Sequence, residues 1–308
     1  MLTMGKRATR NKTIYLTDSE KKLLEKKLII FPDEKKIINE VINQDFFKII
    51  DYLPDKFVDL FFSDPPYNIT KNFHSHSFNK KSYEEYREWS ESWVSKIIRI
   101  LKPTSSIYVC SEWQTSPILY EVLKKYFIIR NRITFEREKG RGSKQNWKNN
   151  CEDIYFCTLS NKYTFNIEDI KIKRRVIAPY KENGIPKDWF TENKEKYRLT
   201  YPSNIWTDIT IPFWSMKENT PHPTQKPEKL LARVILASSN EGDLIFDPFA
   251  GSGTTAVVAS KLNRKFLVVE KEKEYCLYAI KRLMEAEKDK RIQGYFNGFF
   301  YERNCSKF

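Results

Sequence analysis

The chain has 308 residues, of which 40% are hydrophobic and 31% charged, so an ordered protein is expected and a largely disordered one is excluded. Lysine and arginine outnumber aspartate and glutamate by 54 to 40, which leaves a net charge of +14. This excess favours a polyanionic partner, nucleic acid above all, although a basic surface that only maintains solubility would give the same total.

Membrane and secreted classes are not favoured. No stretch approaches the roughly 18 consecutive apolar residues of a membrane span, and the basic N-terminus lacks the apolar core of a signal peptide. The five cysteines form no C-x-x-C pair and only three histidines are present, so no metal site is predicted. We therefore expect a cytoplasmic protein with reduced thiols.

Residues 1–30 are predicted to form a basic arm followed by a helix. Thr17-Asp18-Ser19-Glu20 has the capping-box pattern that opens a helix, here extending to about residue 30. Residues 31–160 then alternate between strands and helices. Hydrophobic periodicity predicts strands within 37–47 and at 56–63, 106–110 and 154–159, with helices at 83–101 and 118–126.

Residues 161–215 interrupt the alternation with a polar, aromatic and basic segment. The alternation resumes over residues 216–290, and residues 291–308 form a tail. The predicted elements are helices at 227–238, 254–262 and 271–288 and strands at 244–246 and 266–269. Strands alternating with helices on both sides of an insert predict an α/β fold with one doubly wound, mainly parallel, Rossmann-like sheet.

A glycine turn separates the strand at 244–246 from the helix at 254–262. Gly251 and Gly253 permit a tight turn and let a ligand approach the helix N-terminus. Glu270 ends the next strand 19 residues after Gly251, where an acidic side chain suits ribose hydroxyls. Gly251-x-Gly253-x-x-Ala256 also satisfies the dinucleotide fingerprint, so a nicotinamide oxidoreductase and a plain tight turn are both alternatives.

Ser63-Asp64-Pro65-Pro66-Tyr67 follows the strand at 56–63, and so lies at the sheet edge where open α/β folds bind ligands. The prolines remove N–H donors and stiffen the backbone. A fixed carboxylate, a fixed carbonyl and an aromatic ring together form a receptor for a flat group that carries an amino substituent. An ordinary Pro-Pro loop is the alternative.

The two motifs together resemble the S-adenosylmethionine-dependent amino-methyltransferases of DNA. The chain order is Asp-Pro-Pro-Tyr at 64–67, the basic insert, His-Pro-Thr-Gln-Lys-Pro at 222–227, and Phe249-x-Gly251-x-Gly253. This order is similar to the beta class of restriction–modification systems, and the likeness covers about residues 38–285. Asp64, rather than serine, resembles the adenine-N6 branch more than most cytosine-N4 enzymes.

The resemblance implies S-adenosylmethionine as the cofactor and double-stranded DNA as the partner. It implies that the target adenine is flipped out of the duplex, that the Asp64 carboxylate and the Pro65 carbonyl bind its amino hydrogens, and that Tyr67 stacks on its ring. Pro66 completes the catalytic motif. Glu270 would accept the ribose hydroxyls, and residues from 222–226 would lie near the methionine end. The implied cofactor-binding residues are Asp45, Phe46, His222, Thr224, Lys226, Asp247, Phe249, Gly251, Ser252, Gly253, Thr254 and Glu270.

A glycine-containing basic loop at residues 138–149 is predicted to face DNA. Arg141, Lys144 and Lys148 would meet phosphates and Asn146 a base edge, while Trp147 is either part of this loop surface or part of the core.

Residues 161–215 are interpreted as the target-recognition region. A homodimer and a restriction endonuclease encoded nearby are further partners compatible with the family. One alternative is a cytosine-N4 methyltransferase. The other is a non-catalytic nucleic-acid-binding module, but such a module would leave the motif pair unexplained.

Overall fold

A computed structural model describes residues 9–31, 37–72, 77–137, 144–177 and 180–303. The helices are α1 (Asp18–Glu25), α2 (Phe46–Ile49), α3 (Tyr83–Ile97), α4 (Ser116–Leu123), α5 (Glu228–Ser238), α6 (Thr254–Lys261) and α7 (Lys273–Ala286). The first strands are β1 (Glu40–Asn43), β2 (Val58–Ser63), β3 (Lys71–Asn72), β4 (Ser77–Phe78), β5 (Leu101–Ser111), β6 (Ile128–Glu136), β7 (Cys151–Thr158) and β8 (Ile172–Arg175). The remaining strands are β9 (Lys181–Glu182), β10 (Ile185–Pro186), β11 (Phe190–Glu192), β12 (Glu195–Thr200), β13 (Ile205–Trp206), β14 (Leu244–Asp247), β15 (Lys265–Glu270), β16 (Tyr295–Phe296) and β17 (Phe299–Tyr301).

Helices α1 and α3 each begin at a capping box. The predicted capping box is confirmed: Thr17 accepts from the Glu20 amide while the Glu20 carboxylate accepts from the Thr17 amide. Ser82 and Glu85 cap α3 in the same way. The first helix ends at Glu25, earlier than predicted, because the residues after it turn to bring Ile29 alongside β1.

The central sheet has the order β1-β15-β14-β2-β5-β7-β6-β13. The first five strands pair in parallel, β7 runs antiparallel to both of its neighbours, and β13 pairs in parallel with β6. Helices cover both faces. Phe61 of β2 packs on the side of α3 and α4, whereas Leu60 and Phe62 pack on the side of α5, α6 and α7. The predicted doubly wound, mainly parallel α/β fold is confirmed.

The neighbours β14 and β2 position the site. They pair directly through Phe246 and Phe61, so the segments that follow them leave the sheet side by side. The chain continues from β14 into α6 on one face and from β2 towards α3 on the other, which opens a crevice at their carboxyl ends. Such a switch point is where open α/β sheets bind ligands.

Two features outside the parallel strands and their covering helices differ from what the sequence predicts. The strand β6 was not predicted, because its Arg-Asn-Arg centre at residues 130–132 is polar and conceals the alternation. The region 161–215 does not stand alone either. Its strands β11, β12 and β8 form a five-stranded sheet with β17 and β16 from the tail, and β8 pairs directly with β17.

The helices of the described ranges are too short or too polar to cross a bilayer.

Candidate functional site

A cavity of about 570 Å³ opens at the carboxyl ends of β1, β15, β14 and β2. It brings together the Asp-Pro-Pro-Tyr segment, the glycine turn, the end of β15 and the turn after β1, four regions that are distant in the chain. Its lining includes Asp45, Phe46, Asp64, Pro65, Pro66, Tyr67, Lys71, Trp89, Arg137, His222, Thr224, Phe249, Gly251, Glu270 and Tyr275. Its volume is in the range of small-molecule and cofactor sites.

The Asp64 carboxylate lies directly after β2 and has an internal partner on each oxygen. Tyr67 donates its hydroxyl proton to Oδ1 at 2.8 Å, and the Lys226 ammonium lies 2.6 Å from Oδ2. The backbone of the motif is held from α3, where Tyr86 donates to the Pro66 carbonyl at 3.0 Å. The carboxylate is thus fixed in place, and it remains 16% exposed.

Two residues that were not predicted from the sequence, Glu152 and Arg137, extend the charged cluster around Asp64. Glu152, at the start of β7, is 3% exposed; its Oε1 lies 2.6 Å from Arg137 and its Oε2 3.2 Å from both Lys226 and the Tyr67 hydroxyl. The sequence signal was the acidic pair Glu152-Asp153 directly before the run Ile-Tyr-Phe at 154–156, which does not distinguish one carboxylate from the other.

Burial and charge set the protonation of this cluster. Burial alone would raise the pKa of Glu152, but the adjacent Lys226 and Arg137 outweigh it and hold that pKa below its usual range. Burial and the neighbouring Asp64 and Glu152 carboxylates raise the pKa of Tyr67, so its hydroxyl stays protonated. The two carboxylates raise the pKa of Lys226 against the opposing effect of its burial, so it is an ammonium.

Lys226 therefore lies against the Asp-Pro-Pro-Tyr motif, and its implied position near the methionine end of the cofactor stays a prediction. Thr224 and His222 line the cavity itself. The Lys71 ammonium, from the segment after the motif, lies 3.3 Å from the Thr224 hydroxyl. Burial lowers the pKa of Lys71 to about 8, so the cavity contains an amine that titrates near neutral pH.

The two glycines of the turn serve different purposes. Gly251 has φ +53°, and a Cβ there would lie 2.8 Å from the His222 ring, on the cavity side. Gly253 has φ +76°, and its Cβ would lie 2.4 Å from the Cβ of Ala279 in α7. Gly253 is therefore required for the packing of the turn against a helix. Ser252 and Thr254 are buried and border a small pocket of about 20 Å³ beside Asp64.

Two carboxylates support the turn. Asp247 accepts from the Phe249 amide at 3.0 Å and from the Thr255 hydroxyl at 2.5 Å, and burial raises its pKa to about 7. Glu270 accepts from the amides of Gly251 at 2.8 Å and Glu272 at 2.7 Å. Burial raises the pKa of Glu270 to about 7 as well. Glu270 lines the cavity, so each of its oxygens can also receive a hydroxyl donor, while Asp247 acts on the turn.

Aromatic side chains form one wall of the cavity. The Phe46 and Phe249 rings lie 5.9 Å apart, and Trp89 of α3 lies 6.3 Å from Phe249. Asp45 caps α2 by accepting from the Phe47 amide at 3.0 Å, with the Lys271 ammonium 3.3 Å from its second oxygen. An aromatic wall beside carboxylates is suited to a nucleoside.

Of the residues predicted to face DNA, Lys144 and Asn146 are exposed and Lys148 is half-buried. Trp147 is 97% exposed, so it is not part of the core. Arg141 and residues 1–8 of the predicted basic arm lie outside the described residues. Within the described ranges, no group of three or more histidine, cysteine, aspartate or glutamate side chains is arranged to hold a metal ion.

A family model described as DNA methylase matches residues 58–281, which include every side chain of the charged cluster. "Type II methyltransferase M.HpaI" of Haemophilus parainfluenzae is 32% identical over 257 residues, covering 82% of this chain and 73% of the relative. "DNA adenine methyltransferase YhdJ" of Escherichia coli strain K12 is 35% identical over 250 residues, covering 79% of this chain and 82% of the relative.

Solved structures share the fold. A cytosine-N4-specific PvuII DNA methyltransferase superposes with a TM-score of 0.60 at 17% identity, covering 81% of this chain and 90% of that one. A complex of M1.HpyAVI with SAM gives a TM-score of 0.53 at 23% identity, covering 79% of this chain and 99% of that one.

Proposed function

The chain belongs to the DNA methylase family, and on that premise we propose that it is a site-specific DNA adenine-N6 methyltransferase that uses S-adenosylmethionine. The observation that supports this most directly is the shared cavity. Asp64 and Tyr67 line it at the end of β2, while Gly251 and Glu270 line it from the ends of β14 and β15. A receptor for an amino group thus adjoins a nucleoside-type pocket.

The residues present fit an adenosine-containing sulfonium cofactor. Glu270 offers carboxylate oxygens to the ribose, and the wall formed by Phe46, Phe249 and Trp89 suits the adenine. Asp64 favours a positive charge beside it. When bound, S-adenosylmethionine supplies an electrophilic methyl group.

The chain's own part in the reaction is to bind and orient the target nitrogen. An amino nitrogen conjugated with a base ring is a weak nucleophile, and it gains positive charge as a bond to carbon forms. The Asp64 carboxylate, fixed by Tyr67, can accept one amino hydrogen and favours that charge. Positioning two reactants in one cavity also lowers the barrier by removing their translational freedom. The nitrogen must finally lose one proton, for which Asp64 is the adjacent acceptor.

The choice of adenine rests on Asp64 in the first position of the motif and on the adenine specificity that the name of YhdJ states for that relative. Cytosine-N4 methylation is the second candidate, because the PvuII enzyme shares the fold. Both bases present an exocyclic amino group, so the same receptor chemistry serves either.

Tritium transfer from labelled S-adenosylmethionine to DNA, followed by nucleoside analysis, tests the proposal. Tritiated N6-methyl-2′-deoxyadenosine is expected. Tritiated N4-methyl-2′-deoxycytidine would reject the base assignment, and DNA that acquires no label would reject methyl transfer. Methylation-sensitive sequencing of DNA from cells that express the chain would then give the recognition site. A homodimer, a nearby restriction endonuclease and the target-recognition role of residues 161–215 stay predictions.

A further inference from the structure

Glu152 is a buried carboxylate that lies beside the Asp-Pro-Pro-Tyr motif without belonging to it. It contacts Lys226 and Tyr67, the two groups that hold Asp64, and its other oxygen pairs with Arg137. Two carboxylates and two cations therefore balance in a cluster where Glu152 and Lys226 are 3% and 8% exposed. Buried charges persist only when they are paired, so each member constrains the others.

The arrangement around Asp64 conflicts with the reaction. The Lys226 ammonium occupies Oδ2 at 2.6 Å, where a target amino group would need an acceptor. An ammonium at that position would also oppose the positive charge that develops on the target nitrogen, most strongly in a buried site. Methyl transfer therefore requires Lys226 to withdraw from Asp64 as the amino group arrives.

Glu152 is the carboxylate to which the Lys226 ammonium can move. Its Oε2 is already 3.2 Å from the Lys226 ammonium, so a small movement exchanges one carboxylate for the other without exposing the charge. We propose that Glu152 is a positioning residue, which retains Lys226 and Tyr67 while Asp64 receives the target amino group. This inference rests on the proposed methyl transfer.

The variant Glu152→Gln tests it, because the amide keeps the shape but loses the charge. Lys226 would then have Asp64 as its single carboxylate partner in the cluster and would compete with the target. The kcat for transfer should fall by at least about tenfold, while the KM values for S-adenosylmethionine and DNA stay within about threefold of the wild type. Should this variant be insoluble, Glu152→Asp, which draws the carboxylate back from Lys226, is expected to lower kcat in the same direction.

A second substitution separates positioning from a structural role. In Glu152→Gln/Lys226→Met the competitor is removed, so kcat should recover above that of Glu152→Gln. If Glu152 only stabilises the fold, the double variant will be no faster than the single one.

Asp208→Asn is the matched control. Asp208 is a 9% exposed carboxylate held by Arg233 at 2.6 Å and Lys229 at 2.7 Å, and it does not line the cavity at Asp64. Its substitution should lower stability and leave the kcat of the folded protein unchanged. If the wild type is active, either of two results would overturn the inference while leaving the proposed function intact. One is an unchanged kcat in Glu152→Gln, and the other is a double variant that is no faster than the single one. An inactive wild type would reject the proposed function, and the inference with it.

Discussion

Replacing Gly253 by alanine should destabilise the fold, because the new methyl group meets another helix. The built Cβ lies 2.4 Å from the Cβ of Ala279 and 3.0 Å from its Cα, whereas unstrained carbon contacts lie near 3.5–4.0 Å. The turn and α7 must therefore separate by about 1–1.5 Å. The neighbouring atoms belong to a buried helix, so no flexible side chain can move aside.

The cost has two parts. A left-handed φ of +76° is unfavourable for alanine, by about 1–2 kcal/mol. Overpacking adds about 1–3 kcal/mol, so Gly253→Ala should lower the free energy of unfolding by about 2–5 kcal/mol. Gly242→Ala is the matched control: its φ is +82° and nothing lies within 4 Å of the built Cβ, so it carries the backbone cost alone.

Urea unfolding followed by circular dichroism measures both variants against the wild type. Gly253→Ala should lose about 1–3 kcal/mol more than Gly242→Ala. Equal losses would refute the packing explanation. Wild-type stability in Gly253→Ala combined with lost S-adenosylmethionine binding would show instead that the methyl group blocks the ligand.

Three further outcomes are expected. Asp64→Ala should abolish methyl transfer and leave S-adenosylmethionine affinity within about tenfold, since Asp64 serves the target amino group; near-normal turnover in a folded variant contradicts this. Because the pKa of Glu270 is raised to about 7, its carboxylate is neutralised below that pH, so S-adenosylmethionine affinity should fall by roughly tenfold per pH unit on acidification. Titration calorimetry of Glu270→Gln should show weaker binding with a shallower pH dependence, because Asp247, whose pKa is also raised to about 7, still titrates. A pH profile identical to that of the wild type would show that the Glu270 carboxylate does not bind the ribose hydroxyls. Neutralising Arg141, Lys144 and Lys148 together should lower the log–log salt slope of DNA binding by up to about three, measured by fluorescence anisotropy, with no change if the loop is only solvated.

The sequence alone was sufficient to predict features that depend on residues close together in the chain. Hydrophobic periodicity predicted most helices of the central frame, and the Thr17 capping box was read directly because its partners are three residues apart. The positions of Asp64 and the glycine turn after apolar strands indicated a shared sheet edge. The strand order later explained that edge through the pairing of Phe61 with Phe246.

Contacts between residues that are far apart in the sequence could be identified only from the tertiary structure. Glu152 resembles any acidic residue near a strand until β7 brings it against Lys226, 74 residues away in sequence. Gly253 was interpreted as making room for a ligand, but the packing of α7 gives it a different reason. The polar strand β6 and the pairing of β8 with the tail were likewise concealed. Periodicity reports which face of an element is buried, whereas the identity of the neighbour, and hence the charge and space beside each side chain, depends on how distant elements pack.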